Sequence, residues 1–310
     1  MMMAKKTVAV ARDAEVERSD SHGVNKIKIG DIVIMIVIAL LCMTCVIPFL
    51  HLAAKSVSSN SAVLAKSVYL WPKGFNWDAY NTVFKDGQLV HSMWYSVLVT
   101  IIFTILGMVV TICAAYPLSK KRLKGRNFFS LALMFTMYFS AGLIPEYLLM
   151  KDLHLLDNMW VLILPLIFSP YNMLIMKSYL QSSIPDSLEE SAFLDGATNF
   201  QILTRIVLPL SKPIIATLSL FYAVGRWNAY ADAKYYITKK ALQPIQLLLS
   251  NMVLNSGSDA VSFSEAAEVV STPEVLQAAS VMFATIPIIC IYPFLQKYFV
   301  KGAMIGAVKG

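Results

Sequence analysis

The chain has 310 residues, of which 57% are hydrophobic and only 15% charged, with a mean hydropathy of +0.62 and a net charge of +7. Soluble domains average about 45–50% apolar and about 25% charged residues, so this surplus excludes an ordinary water-facing globule and points to a polytopic membrane protein. The positive charge follows the topology described below, which argues against a nucleic-acid footprint.

Residues 1–30 are polar and hold six of the 26 basic residues; they read as a cytoplasmic tail. A hydrocarbon core of roughly 30 Å needs about 20 apolar residues in helix. The first run of that kind is 32–52. Its long polar leader and its length, beyond the roughly 7–15 residues of a cleavable signal, predict a retained signal-anchor. Cys42 and Cys45 have CxxC spacing, but no second pair or nearby His completes a zinc site. With Cys113 and Cys290 they read as ordinary thiols in apolar runs. Loop 53–93 follows, carrying the aromatic run 69–77 (YLWPKGFNW).

The second run is 94–118, and the acid-free loop after it holds Lys120, Lys121, Arg122, Lys124 and Arg126. The third and fourth are 128–149 and 160–180. Pro48, Pro145, Pro165 and Pro287 fall within or at the ends of these runs, which helix packing in a membrane tolerates. Loop 181–212 leads to the fifth run, 213–230. Loop 231–278, with an interfacial helix expected at 242–253, leads to the sixth, 281–298. The expected organisation is an all-α polytopic membrane protein: a tail (1–30), a six-helix transmembrane domain (31–300) and a short tail (301–310). With the N-terminus inside, 17 Lys and Arg lie on the inner side and nine on the outer side. By the positive-inside rule both termini are expected in the cytoplasm.

Loop 181–212 is therefore cytoplasmic, and its local chemistry is explicit. Asp186 followed by Glu189 has the capping-box pattern, as does Thr198 followed by Gln201. Gly196 is a natural left-handed stop between two short helices, and Pro209 and Pro213 are expected to end the second. Ser191 and Ala192 would let a partner approach closely, and Glu190 and Asp195 would meet a basic one. On these grounds alone, an amphipathic connector explains the loop equally well.

The stretch resembles the EAA loop of ABC-importer permeases. Glu190-Ser191-Ala192 stands for EAA, Gly196 and Ala197 follow, and Ile206-Val207-Leu208-Pro209 closes the pattern; Ser191 replaces the first alanine. The resemblance extends over nearly the whole chain beyond residue 30, through 70–75 (LWPKGF), 116–121 (YPLSKK), 140–147 (SAGLIPEY), 221–228 (FYAVGRWN) and 293–310. It is strongest to the carbohydrate-uptake group that includes the maltose permeases, and within it to polysaccharide or aldouronate-type permeases. It implies a type I importer permease in a bacterial cytoplasmic membrane, coupled through Glu190, Ser191, Ala192, Asp195, Gly196, Ala197, Leu208 and Pro209 to an ATPase. It also implies a homologous second permease, two ATPase subunits carrying ATP and Mg²⁺, an extracytoplasmic solute-binding protein and a carbohydrate cargo. No cofactor is expected in this chain, which has no GxxxxGK[ST] phosphate loop.

For the solute path, the cluster Tyr222, Arg226, Trp227, Asn228 and Tyr230 stands out, because a charge at membrane depth usually faces an interior or a cavity. The competing reading is an Arg that snorkels to the outer interface beside belt aromatics. Glu146 and Asn172 are weaker candidates near span ends. A secondary transporter would show buried acids or an inverted repeat; here nearly all acids fall in loops. A membrane enzyme would need a constellation such as HExxH, and the sequence has none.

Overall fold

A computed structural model describes residues 29–255 and 272–307, and every regular element among them is helical. The expected N-terminal tail up to residue 28, the far part of loop 231–278 and residues 308–310 lie outside the described residues. The chain divides into two compact units, 1–51 and 52–310. The first holds most of helix α1 (Ile29–Ser56), which runs on through Pro48 and is long and apolar enough to cross a membrane.

The second unit is built around α4. Short helices α2 (Asn60–Leu64) and α3 (Asp78–Lys85) precede α4 (Gly87–Ser119). The Asp86 carboxylate starts α4 by accepting the Gln88 and Leu89 backbone N–H groups, satisfying donors that a helix start leaves open. At 33 residues α4 spans about 50 Å. One side, with Val99, Phe103, Met108, Thr111 and Ala115, is buried. Trp94, Leu98, Ile101, Ile105 and Val109 form an exposed apolar stripe at helical spacing on another side. A contiguous stripe of this kind fits lipid or another membrane helix, not water.

The next two expected spans are not continuous helices. The third is broken into α5 (Arg126–Tyr138) and α6 (Leu143–Asp152), set at 109° to each other. Two residues explain the break. Gly142 has φ +90, and the Pro145 ring would collide with the carbonyl four residues earlier if the helix ran through. The fourth consists of two 3₁₀ turns, Met159–Leu162 and Leu164–Leu166, and then α7 (Pro170–Ser183) at a 50° bend. Ser169 caps α7 by accepting the Asn172 N–H at 3.3 Å.

The chain then forms the hairpin α8 (Asp186–Leu194) and α9 (Asn199–Ile202). A π-helical turn, Leu203–Val207, and α10 (Leu208–Leu210) follow, and Ser211 marks an 82° corner into α11 (Lys212–Asn228). Pro209 thus sits in the first turn of α10 instead of ending the preceding segment. After α11 come α12 (Ala231–Tyr236), α13 (Ile245–Asn255) and α14 (Pro273–Ala307). The helix expected at 242–253 is α13, starting three residues later. It buries Ile245, Leu247 and Leu249, and its Ile245 N–H donates to Ser96 Oγ of α4 at 2.8 Å. Three described helices are long and apolar enough to cross a membrane, and six spans result if each bent pair counts as one.

Where α4, α7 and α11 meet, packing is close. A Cβ on Gly107 would stand 3.0 Å from the Tyr222 ring. The Tyr222 hydroxyl is 2.7 Å from Thr111 Oγ1 and accepts the Ser169 N–H at 3.2 Å, so one side chain ties the three helices together.

Candidate functional site

The hairpin of α8 and α9 is closed by a complete Schellman turn. The Ala197 N–H donates to the Ala192 carbonyl and the Gly196 N–H to that of Phe193, both at 3.0 Å, with Gly196 at φ +80. This is the six-to-one and five-to-two pair that ends a helix in the left-handed region. Thr198 and Gln201 form the expected capping box at the start of α9. The other expected box is not formed. Pro185 occupies the cap, Asp186 is the first helical residue, and Glu189 turns inward instead.

The reason lies in the basic loop after α4. Glu189 is buried and forms an ion pair with Lys120, whose ammonium also sits 4.8 Å from the Tyr116 ring centre. A carboxylate removed from water requires such a partner. Lys121 pairs with Asp186 at 3.0 Å, and this ammonium holds the Asp186 carboxyl below its usual value. Arg122 donates to Asn199 and lies over the Phe193 ring at 4.4 Å. Gln181 adds a hydrogen bond to the Ser119 carbonyl at 3.3 Å. Three of the loop's five cations thus clamp the hairpin to the C-terminal end of α4. Sequence reasoning assigned this loop to topology alone. The signal for its second role was present, because an acid-free loop and an acid-rich hairpin are complementary.

The outward end of the hairpin is left open. Glu190, Ser191, Asp195 and Gly196 are exposed, and neither Glu190 nor Asp195 has an ion-pair partner among the described residues. Beside them Leu194 is 89% exposed and Phe200 73%. A shallow cavity of about 290 Å³ runs between Asp195, Gly196, Ala197, Gln201 and Arg205. Ala192 is buried against the body, so of the two small residues only Ser191 faces outward. Leu208 is half-buried and Pro209 exposed at the base of the hairpin. An apolar knob ringed by unpaired acids is chemically suited to a partner with an apolar cleft and basic rim.

The five residues considered for a solute path do not converge on one cavity. The Arg226 guanidinium is buried and bidentate to Asp232, at 2.5 and 3.0 Å, and also donates to the Leu162 carbonyl at 2.9 Å. It does not snorkel outward: four hydrogen bonds from its two terminal nitrogens, to the Leu162 and Ala229 carbonyls and to Asp232, fix the corner between α11 and α12. Trp227 is buried in a separate cluster with Leu89, Ile245 and Phe283. Asn228 donates to the Val224 carbonyl, and Tyr230 is exposed. Tyr222 and Arg226 do line a pocket of about 200 Å³, together with Phe103, Ser169, Asn172 and Phe221. Glu146 is exposed in the first turn of α6. On the same side, Asp157 accepts from the Thr238 hydroxyl at 2.6 Å and from the Thr238 and Lys239 N–H groups at 2.6 and 3.0 Å. These bonds hold its carboxyl below the usual aspartate value. No group of three or more potential ligands is placed to hold a metal ion among the described residues.

Residues 125–304 match the family described as binding-protein-dependent transport system inner membrane component. Protein LplC of Bacillus subtilis (strain 168) is 41% identical over 86% of this chain and 90% of that protein. The polygalacturonan/rhamnogalacturonan transport system permease protein YtcP of the same organism is 42% identical over 92% of this chain and all of that protein. One solved structure, that of a bacterial ABC transporter involved in the import of the acidic polysaccharide alginate, contains a similar chain. It matches with a TM-score of 0.82 and 31% identity over 89% of this chain and 98% of that one.

Proposed function

This chain belongs to the family of binding-protein-dependent transport system inner membrane components, and from that premise we propose that it is the permease subunit of an ATP-driven oligosaccharide importer. It is a membrane transport subunit. The work of ATP hydrolysis falls to two separate ATPase subunits that bind ATP and Mg²⁺. A second, homologous permease completes the translocation path, and an extracytoplasmic binding protein delivers the cargo. Both termini face the cytoplasm of a bacterial cell.

The observation that carries this reading is the hairpin of α8 and α9. Its base is clamped to α4 by Lys120, Lys121 and Arg122. Its tip presents Leu194 among Glu190, Ser191 and Asp195 with no internal contact that would explain their exposure. In this reading the tip seats in the ATPase, Glu190 and Asp195 meet its cations, and Gly196, Ala197, Leu208 and Pro209 shape the turn and its base. Movement of the ATPase is then passed to α4 through the clamp. A plain connector would not need a buried ion pair at one end and an exposed leucine at the other.

Site-directed cross-linking tests this. In a background without the four native cysteines, Ser191→Cys and Leu194→Cys should each form a cross-link to the ATPase subunit. Trp71→Cys, exposed in loop 53–93, should form none. Absence of any hairpin cross-link in a complex that transports would overturn the docking role.

A further inference from the structure

A cavity of about 520 Å³ opens where the C-terminal end of α4 meets α9 and the π-helical turn after it. Its volume falls within the roughly 300–1,000 Å³ typical of small-molecule sites. Lys120, Arg122 and Lys124 line it together with Pro117, Phe200 and Leu203, and no acidic residue does. Of these cations only Lys120 is neutralised, by Glu189. Arg122 spends one of its five N–H donors on the neutral Asn199 amide. Lys124 has no ion-pair partner among the described residues.

The apolar stripe of α4 leads straight into this cavity. Beyond Ile105 and Val109 it continues through exposed Cys113 to exposed Pro117, which is part of the cavity wall. From Ile105 to Pro117 the helix rises about 18 Å, against roughly 15 Å for the hydrocarbon of one leaflet. Stripe and cavity thus form one surface, apolar for the depth of a leaflet and then cationic. Tyr116 supplies an independent sign of a ligand. It lines the cavity and is 7% exposed, and its hydroxyl is buried with no hydrogen-bond partner among the described residues. A hydroxyl left in that state is costly, and an oxygen-rich group entering the cavity relieves it. A soluble anion would account for the cations but not for the apolar approach to them.

Going beyond the importer reading, we propose that this cavity seats the phosphate head of an anionic phospholipid whose acyl chains lie along the α4 stripe. The planar Arg122 guanidinium matches phosphate oxygens in geometry, and Lys124 adds a point charge. Basic pockets between helices at a membrane face recognise anionic heads in this way. Phosphatidylcholine carries its own cation beside the phosphate, so the two uncompensated charges of the cavity favour phosphatidylglycerol over it.

The test is photolabelling of the complete complex in proteoliposomes of phosphatidylcholine doped with a diazirine-bearing phosphatidylglycerol or, in parallel, a diazirine-bearing phosphatidylcholine. The labelled residues are read by peptide mass spectrometry. Residues 113–123 should take the phosphatidylglycerol probe at least about fivefold more than the phosphatidylcholine probe. Lys124→Gln should lower the phosphatidylglycerol labelling by about fivefold, the factor expected for one basic residue near an anionic surface. Arg126→Gln removes the same charge from the same loop but outside the cavity, and labelling should stay within about twofold of wild type. Excess inorganic phosphate at matched ionic strength should not compete. Equal labelling by the two probes, or no loss with Lys124→Gln, would overturn the proposal. Equal losses in the two variants would overturn it as well, because the charge would then act as a diffuse surface field. Competition by phosphate would make the cavity a site for a free anion. Loss of the ATPase from the purified Lys124→Gln complex, with no preferential labelling of the wild type, would assign the cavity to that protein instead. The labelling needs neither cargo nor ATP, so its failure is distinct from failure of the importer reading, which ATP-driven uptake by the same proteoliposomes tests.

Discussion

Removing the carboxylate of Glu189 should release the hairpin from the membrane body. The side chains of Glu189 and Lys120 are 7% and 12% exposed. Breaking a buried pair by removing one partner typically costs about 3–5 kcal/mol, because the remaining charge is left uncompensated. Lys120 keeps its contact with the Tyr116 ring and lies at a helix end from which its amine can reach water, so the cost should fall near about 3 kcal/mol. At about 1.4 kcal/mol per decade, that is roughly a hundredfold shift from the docked to the undocked hairpin. Hydrogen exchange of residues 186–197 in the purified complex reads this shift directly. Glu189→Ala should speed exchange there by about two orders of magnitude while leaving α4 protected. The double variant Lys120→Met with Glu189→Leu should recover most of the protection, since replacing both partners by apolar groups of similar size is often neutral or stabilising. Unchanged exchange in the single variant, or additive losses in the double one, would refute a clamp built on this pair.

Three further perturbations have definite signs. Gly196 has φ +80 and open space where a Cβ would lie, so Gly196→Val costs about 1–2 kcal/mol of backbone strain alone, whereas Gly196→Asn should be tolerated; co-purification of the ATPase should fall only for the valine variant. Gly107→Ala would press on the Tyr222 ring at 3.0 Å and the Ile167 carbonyl at 3.3 Å. The overpacking cost of about 1–3 kcal/mol should appear as a lower melting temperature, and an unchanged Tm would mean that α11 yields freely. The Asp157 carboxyl is depressed by its bonds to Thr238 and Lys239. The stability it contributes is therefore present above the ordinary aspartate value of about 3.9 and is lost as pH falls through the lower folded value. Protection of the Thr238 and Lys239 amides should drop on acidification below about pH 4 in the wild type and be low at every pH in Asp157→Ala.

Much of this fold was legible in the sequence because membrane spans advertise themselves by length and hydropathy alone. The breaks were less so. Pro145 and Pro165 were visible, but a proline within an apolar run signals either a kink or a full reversal. The 109° corner also depends on Gly142 entering φ +90. In the hairpin, Gly196 and the Thr198–Gln201 box were readable since each is set by residues within one turn. Glu189 was not, because its preference for Lys120 depends on a contact 69 positions away. Arg226 shows the same limit. Its depth could be read from the sequence, whereas its commitment to Asp232 and the Leu162 carbonyl required the corner after α11 to be seen. Leu194 drew no notice as one apolar residue among many, and only its 89% exposure singles it out.

In the proposed mechanism, ATP hydrolysed by another subunit drives cargo through this chain by way of the hairpin tip. The most direct measurement is oligosaccharide uptake into proteoliposomes holding the full complex, with ATP inside or absent, for the wild type and for Glu190→Lys. Glu190 is exposed, unpaired among the described residues and apart from the Lys120 clamp, so its reversal should leave the permease folded and assembled with its partner permease. The wild type should show ATP-dependent uptake, and the variant should lose both uptake and ATPase association. Uptake by the variant at the wild-type rate with the ATPase retained, or wild-type uptake that persists without ATP, would contradict it.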